Sequence, residues 1–98
     1  MIIEYSTKKW RKICTEPTVA NKEYGPKMAA KISQRIDELS AASSVEEMLQ
    51  YHIGNCHGLT GDRSGQYAVN LVQPYRLVFT KKDNEIQIVN IIEIVDYH

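Results

Sequence analysis

No run of about 18 apolar residues occurs anywhere in the 98-residue chain, so the sequence offers no helix that could cross a bilayer. Its opening, MIIEYSTKKW, has no apolar stretch ahead of a small-residue cleavage site. No secretory signal is therefore expected, and the expected location is the cytoplasm. Cysteine is scarce. Cys14 and Cys56 are the only two, and in an intracellular chain the default is two free thiols. There is no internal repeat, low-complexity tract or linker, so one domain over residues 1–98 is expected. The apolar fraction of 43% argues against wholesale disorder.

Net charge is lacking as well, with twelve Lys and Arg against twelve Asp and Glu. That balance conceals a split. Residues 1–36 carry eight basic residues (Lys8, Lys9, Arg11, Lys12, Lys22, Lys27, Lys31, Arg35) against the acids Glu4, Glu16 and Glu23. The remainder reverses it, with four basic residues against nine acids. Such a split can mark a polyanion partner for the basic half, attraction between the halves, or only solvated helix faces. If the partner is RNA, the candidate contacts are Lys8, Lys9, Arg11 and Lys12, with Arg63 from the second half.

IIEYS reads as a short first strand. In TKKWRKICT, Thr7 suits an N-cap, and Trp10, Ile13 and Cys14 share one helical face. PKMAAKISQRIDELSAA is the next clear element, with Pro26 in a first turn and Met28, Ile32, Ile36 and Leu39 as an apolar stripe. The stripe is read as core, a docked partner helix being the other use. SVEEMLQY looks like a short third helix, because Ser44 and Glu47 fit a capping box. HIGNCHGLTGDRSG, with four glycines, is loop and turn. QYAVNLV alternates Tyr67, Val69 and Leu71, Pro74 breaks the ladder, and YRLVFT resumes with Tyr75, Leu77 and Phe79. KKDNE reads as a turn and IQIVNIIEIV as a long final strand. The expected fold class is α+β, with the N-terminal strand and helices packed on one face of a mostly antiparallel sheet.

Few residues invite chemistry. Alternation puts Arg76 on the strand face opposite Tyr75, Leu77 and Phe79. There it is a surface residue if the face is solvated, or an anion clamp if the face is concave. His57, in the glycine-rich loop, is either a surface histidine or a proton-transfer group. His52, Cys56 and His57 do not make a zinc site, since an adjacent Cys-His pair is poor spacing for one tetrahedral ion. Cys56 lacks the oxyanion-hole motif that a nucleophile would want. The chain closes on Asp96-Tyr97-His98, a titratable triplet on a strand of isoleucine and valine. It is either a frayed polar tail or, with His57 and Arg76, part of a set suited to phosphodiester cleavage in RNA. Such cleavage needs a base for the 2′-hydroxyl, an acid for the leaving oxygen and a cation for the phosphorane.

HGLTGDRSGQYAVNLVQPYRLVF followed by IIEIVDYH closely resembles the HigB branch of the RelE/ParE toxin superfamily, the plasmid-maintenance killer proteins of type II toxin–antitoxin modules. The likeness is specific over the second half and extends to the order of elements in the first. It implies a RelE-like fold and an mRNA endoribonuclease that acts in the ribosomal A site without metal or cofactor. It implies His57, Arg76, Asp96, Tyr97 and His98 as catalytic residues. It also implies a HigA-like helix-turn-helix antitoxin as partner, in a complex expected to be a heterotetramer, with no membrane association. Thr60 stands where relatives commonly carry lysine, and the lost cation weakens contact with phosphate. Zero net charge is a second departure from a usually basic class. The other function class is a binding poison, in the manner of ParE relatives that inhibit DNA gyrase without cutting nucleic acid.

Overall fold

The computed structural model describes residues 1–97. In chain order the elements are β1 (Ile2–Tyr5), α1 (Lys8–Thr15), α2 (Pro17–Tyr24), α3 (Pro26–Ala41), α4 (Val45–Gln50), β2 (His57–Gly58), β3 (Gln66–Asn70), β4 (Tyr75–Lys82) and β5 (Ile88–Asp96). The sheet runs β1-β5-β4-β3-β2. β1 lies parallel to β5, and every other neighbour is antiparallel. This is the α+β arrangement read from the sequence. The helices lie on one sheet face, and the other face is left open.

The core lies between helices and sheet. Ile13, Met28, Ile32, Leu39, Val45 and Met48 from the helices meet Val69, Leu77, Phe79, Val89, Ile91 and Ile94 from the strands. The apolar stripe of α3 is thus core, with Ile36 packed at its margin. α1 starts where Thr7 Oγ1 accepts the Trp10 N–H. α4 starts where Ser44 Oγ accepts the Glu47 N–H, at 3.0 Å. The Glu47 carboxylate returns to Ser43 rather than Ser44, taking its hydroxyl at 2.7 Å, so the capping box is displaced by one residue.

Three boundaries differ from the sequence reading. α2 was not anticipated: only Ala20 of it is buried, so it carries no apolar stripe, and Pro17 at its first turn is its one signal. Lys81 and Lys82 belong to β4, and β5 begins at Ile88 rather than Ile86. The glycine-rich loop contains two 3-10 turns, Ile53–Asn55 and Gly61–Arg63, and the two-residue strand β2 between them.

Two polar devices lock the layers. Arg35 of α3 donates from Nε to the Asn70 carbonyl at the end of β3, 2.7 Å away, and from Nη1 to Glu38 at 2.9 Å. Gly54 lies beneath that side chain with φ +60°, and a Cβ there would stand 2.8 Å from Arg35 Nε. At the far end, Gln87 accepts the first N–H of α4, from Val45, at 2.8 Å and donates to Glu46 and Asp83. Lys81 donates to the same two carboxylates.

Arg35→Ala removes a charged hydrogen bond that ties helix to sheet and should lower stability by about 2 kcal/mol in a urea melt. The hydrogen bond from Lys81, then that from Gln87, holds the Glu46 carboxyl down to about 2 from an ordinary 4.5. A depressed carboxylate contributes stability that is present above its unfolded value and lost as pH falls through the folded one. The contribution is small, because the Glu46 side chain is 57% exposed. A carboxyl NMR titration should place the Glu46 midpoint near pH 2 and return it toward its ordinary value in Lys81→Met.

Candidate active site

The open face is built by strand alternation. Val69, Leu71, Leu77 and Phe79 join the core, so Ala68, Asn70, Arg76 and Val78 point away from the helices. Ala68 and Val78 are fully buried yet stand outside the core cluster, and they floor this face. Cross-strand pairing sets His57 beside Ala68, Asn70 beside Arg76, Arg76 beside Val95, and Val78 beside Glu93.

His57 is aimed by its own approach turn. Asn55 has φ 54°, a left-handed conformation that asparagine tolerates better than most residues. Its carbonyl takes the His57 Nδ1 proton at 2.8 Å. A carbonyl only accepts, so Nδ1 carries a hydrogen, and in the neutral ring the lone pair is on Nε2. Nε2 lies 3.4 Å from Arg76 Nη1. The Arg76 guanidinium in turn stacks over the Tyr97 ring, with Cζ 4.6 Å from the centroid. Tyr97 continues the ladder beyond β5, its N–H donating to the Pro74 carbonyl at 3.1 Å. Tyr97 as a residue is 37% exposed.

The five catalytic candidates do not all converge. His57, Arg76 and Tyr97 meet at one end of the open face. Asp96 pairs with Tyr75 across the ladder and so falls on the helix side, where Tyr75 meets Tyr24 edge to face. In that register it is on the sheet face opposite the one that carries Arg76. His98 lies outside the described residues.

The five RNA-contact candidates are separated too. Lys8, Lys9, Arg11 and Lys12 are exposed on α1, in the helical layer next to β1. β1 is the edge strand opposite β2, so these cations flank the far margin of the sheet from His57. Arg63 is on the open face, but its guanidinium is bound by the Glu93 carboxylate and by Gln66 Oε1. The hydrogen bond to Glu93 pushes its pKa above the ordinary value. A paired cation offers less to phosphate than the sequence suggested. Thr60 is exposed, and its side chain does not cap the turn that follows.

Sequence reasoning missed two residues of this face, Glu93 and Asn70. Glu93 had a signal, a lone acid within IIEIV that needs a cation once paired in a sheet. Asn70 had none. Its Oδ1 is the buried side-chain polar atom, among the described residues, that lacks a hydrogen-bond partner. Such an orphan costs about 1–3 kcal/mol. Among the described residues no three His, Cys, Asp or Glu side chains are placed to hold a metal ion.

No protein-family model and no curated protein matches the sequence. Solved structures do match. A YoeB/ParE toxin from Agrobacterium tumefaciens superposes over 100% of both chains with TM-score 0.69 and 15% identity. The YoeB–YefM complex from Staphylococcus aureus matches over 100% of this chain and 97% of that one, with TM-score 0.65 and 21% identity. A heterotetrameric YoeB–YefM toxin–antitoxin complex from the same organism gives 0.57 and 22% over the same shares. At such identities the likeness is one of fold: the chain has the architecture of these toxins from end to end.

The thiol before His57 is not the reactive group of this site. Cys56 and Cys14 are free and buried. Burial pushes their pKa values up to about 11 and about 12. At pH 8 both should therefore react with a disulfide reagent only as fast as the chain unfolds, and addition of denaturant should release two thiols at once.

Proposed function

We propose that this chain is the toxin of a type II toxin–antitoxin module and that its open sheet face cuts mRNA in the ribosomal A site, in the cytoplasm. The observation that carries the reading is the convergence of His57, Arg76 and Tyr97 within side-chain contact at one end of that face. The shared architecture with YoeB/ParE-type toxins is consistent with it. The HigB branch is favoured by the residues themselves, His57 ahead of its Gly-Asp-Arg-Ser-Gly loop, Arg76 after an aromatic, and the closing Asp-Tyr-His.

His57 Nε2 takes the proton of a ribose 2′-hydroxyl, and the 2′-oxygen attacks the neighbouring phosphorus. The bond from phosphorus to the 5′-oxygen breaks, leaving a 2′,3′-cyclic phosphate and a 5′-hydroxyl. The leaving oxygen takes its proton from a second group. We assign that role to His98 from its place in the family pattern. Arg76 stabilises the phosphorane with its planar set of donors, and Tyr97 stacks on a displaced base. Every step is assigned to side chains, so the reading calls for no metal or cofactor. The partner is a HigA-like antitoxin, in a complex of the heterotetrameric kind known for the YoeB–YefM pair.

A binding poison that inhibits DNA gyrase without cutting is the second reading. The register that sets Asp96 opposite Tyr75, on the helix side of the sheet, favours it. Primer extension on mRNA in a reconstituted translation reaction, with and without ribosomes, separates the two. Codon-linked breaks that need ribosomes are expected; intact mRNA with inhibited gyrase would replace the proposal by the second reading. Arg76→Ala should lose about 2–4 kcal/mol of transition-state stabilisation, and Arg76→Lys should recover only part. His57→Gln, or deletion of His98, should slow cleavage by roughly 10²- to 10⁴-fold with an unchanged thermal melt.

A further inference from the structure

Asn70 stands directly opposite Arg76 in the β3–β4 register. Facing residues of an antiparallel pair have Cβ atoms about 4.5–5.5 Å apart, within reach of an amide and a guanidinium. Yet Asn70 Oδ1 is buried and unpartnered. Its strand cannot shift to relieve this. The Asn70 carbonyl is held by Arg35 at 2.7 Å, and the Ile53–Asn55 turn packs against β3. A good acceptor is thus fixed next to a five-donor group whose contacts lie elsewhere.

Those other contacts conflict with the proposed chemistry. Arg76 Nη1 lies 3.4 Å from His57 Nε2, over the lone pair that must take the 2′-hydroxyl proton. The same guanidinium lies over the Tyr97 ring, on the face where a base would stack. In this seat Arg76 blocks both of its neighbours.

We infer that Asn70 is a positioning residue for Arg76, and that Arg76 has two seats. In the resting seat it covers His57 and Tyr97. When an RNA phosphate enters, the guanidinium turns onto Asn70 Oδ1 with one edge and onto the phosphate with another, which its planar fork of donors allows. That turn gives Asn70 its donor, uncovers Nε2 and clears the Tyr97 ring for a base. The site is closed by its own arginine until its substrate class, a phosphodiester flanked by an unstacked base, draws that arginine away. The role assigned to the substrate rests on the endonuclease reading; the second seat itself does not.

Two variants test this. Asn70→Asp offers the guanidinium a charged acceptor and should draw Arg76 into the second seat without RNA. In the wild type, NMR should show the Arg76 δ protons displaced upfield by the Tyr97 ring current. In Asn70→Asp that displacement should be lost. Asn70→Leu removes the acceptor while keeping the branched shape. With a melt matching wild type, it should slow single-turnover mRNA cleavage on ribosomes by about 10- to 100-fold. Its affinity for an mRNA carrying 2′-deoxyribose at the cut site should stay within about twofold of wild type, because the loss falls on the chemical step. Arg76 protons that do not move in Asn70→Asp overturn the two-seat arrangement. Wild-type cleavage by Asn70→Leu overturns the positioning role. If wild-type protein cuts no mRNA while Asn70→Asp still moves Arg76, the endonuclease reading fails and the second seat stands.

Discussion

Between Val78 and Phe79 the pairing of β4 with β5 slips by one residue. Phe79 faces Ile91 and Val78 faces Glu93, which leaves Ile92 as the extra residue of a bulge. A one-residue offset exchanges the faces of every side chain beyond it. Without it, Glu93 would stand opposite Leu77 in the apolar layer and Ile94 would lie on the open face. With it, Ile94 closes the core and Glu93 meets Arg63. Tyr97 then comes round to Arg76, and Asp96 goes to the helix side. Two independent demands, a dry core and an aromatic beside the arginine, are thus met by one irregularity in the ladder.

That irregularity also explains how far the site could be read from the chain. The elements were legible wherever a period was strong: the stripe of α3, the alternation of Tyr75, Leu77 and Phe79, and the caps at Thr7 and Ser44. α2 was not, because a helix that buries a single alanine has almost no periodicity to show. His57, Arg76 and Tyr97 could be picked out as polar or aromatic residues at strand ends. The partition of Asp96 from Tyr97 depends on pairing across strands, which a single strand does not encode. Its trace is the spacing of Val89, Ile91 and Ile94, where two apolar steps of two and three break the alternation. The fate of Arg63 was hidden for a similar reason. Its partner Glu93 is thirty residues away, and only the fold makes them neighbours.

The two sheet faces divide the work. The helix side carries the apolar burial and, through Arg35, the charged tie from α3 to β3. The open side carries short-range polar contacts among His57, Arg76, Tyr97, Arg63 and Glu93. Ala68 and Val78 beneath them are small, so the groups above approach one another closely over a dry floor. On such a floor ion pairs and cation–π contacts are less screened than in open water. The exposed cations of α1, at the other margin, act instead through longer-range fields that salt attenuates.

The sheet order has a consequence for how the molecule comes into being. β5 follows every other element described, yet it lies between β1 and β4 and, among the described residues, is the strand that joins β1 to the rest. Until β5 is in place, β1 has no neighbour in the sheet and β4 has an open edge. The β1–β5 pairing, Ile2 with Ile88, closes a loop of nearly the whole chain length, which makes it slow to nucleate, whereas β4 and β5 meet across a short hairpin. During synthesis the helices and the β2–β4 hairpins can form early, but the phenol ring beside Arg76 arrives only when β5 docks. A partly made chain emerging from a ribosome therefore has His57 and Arg76 without the strand that completes their surroundings, and that surface is finished only by the last strand made.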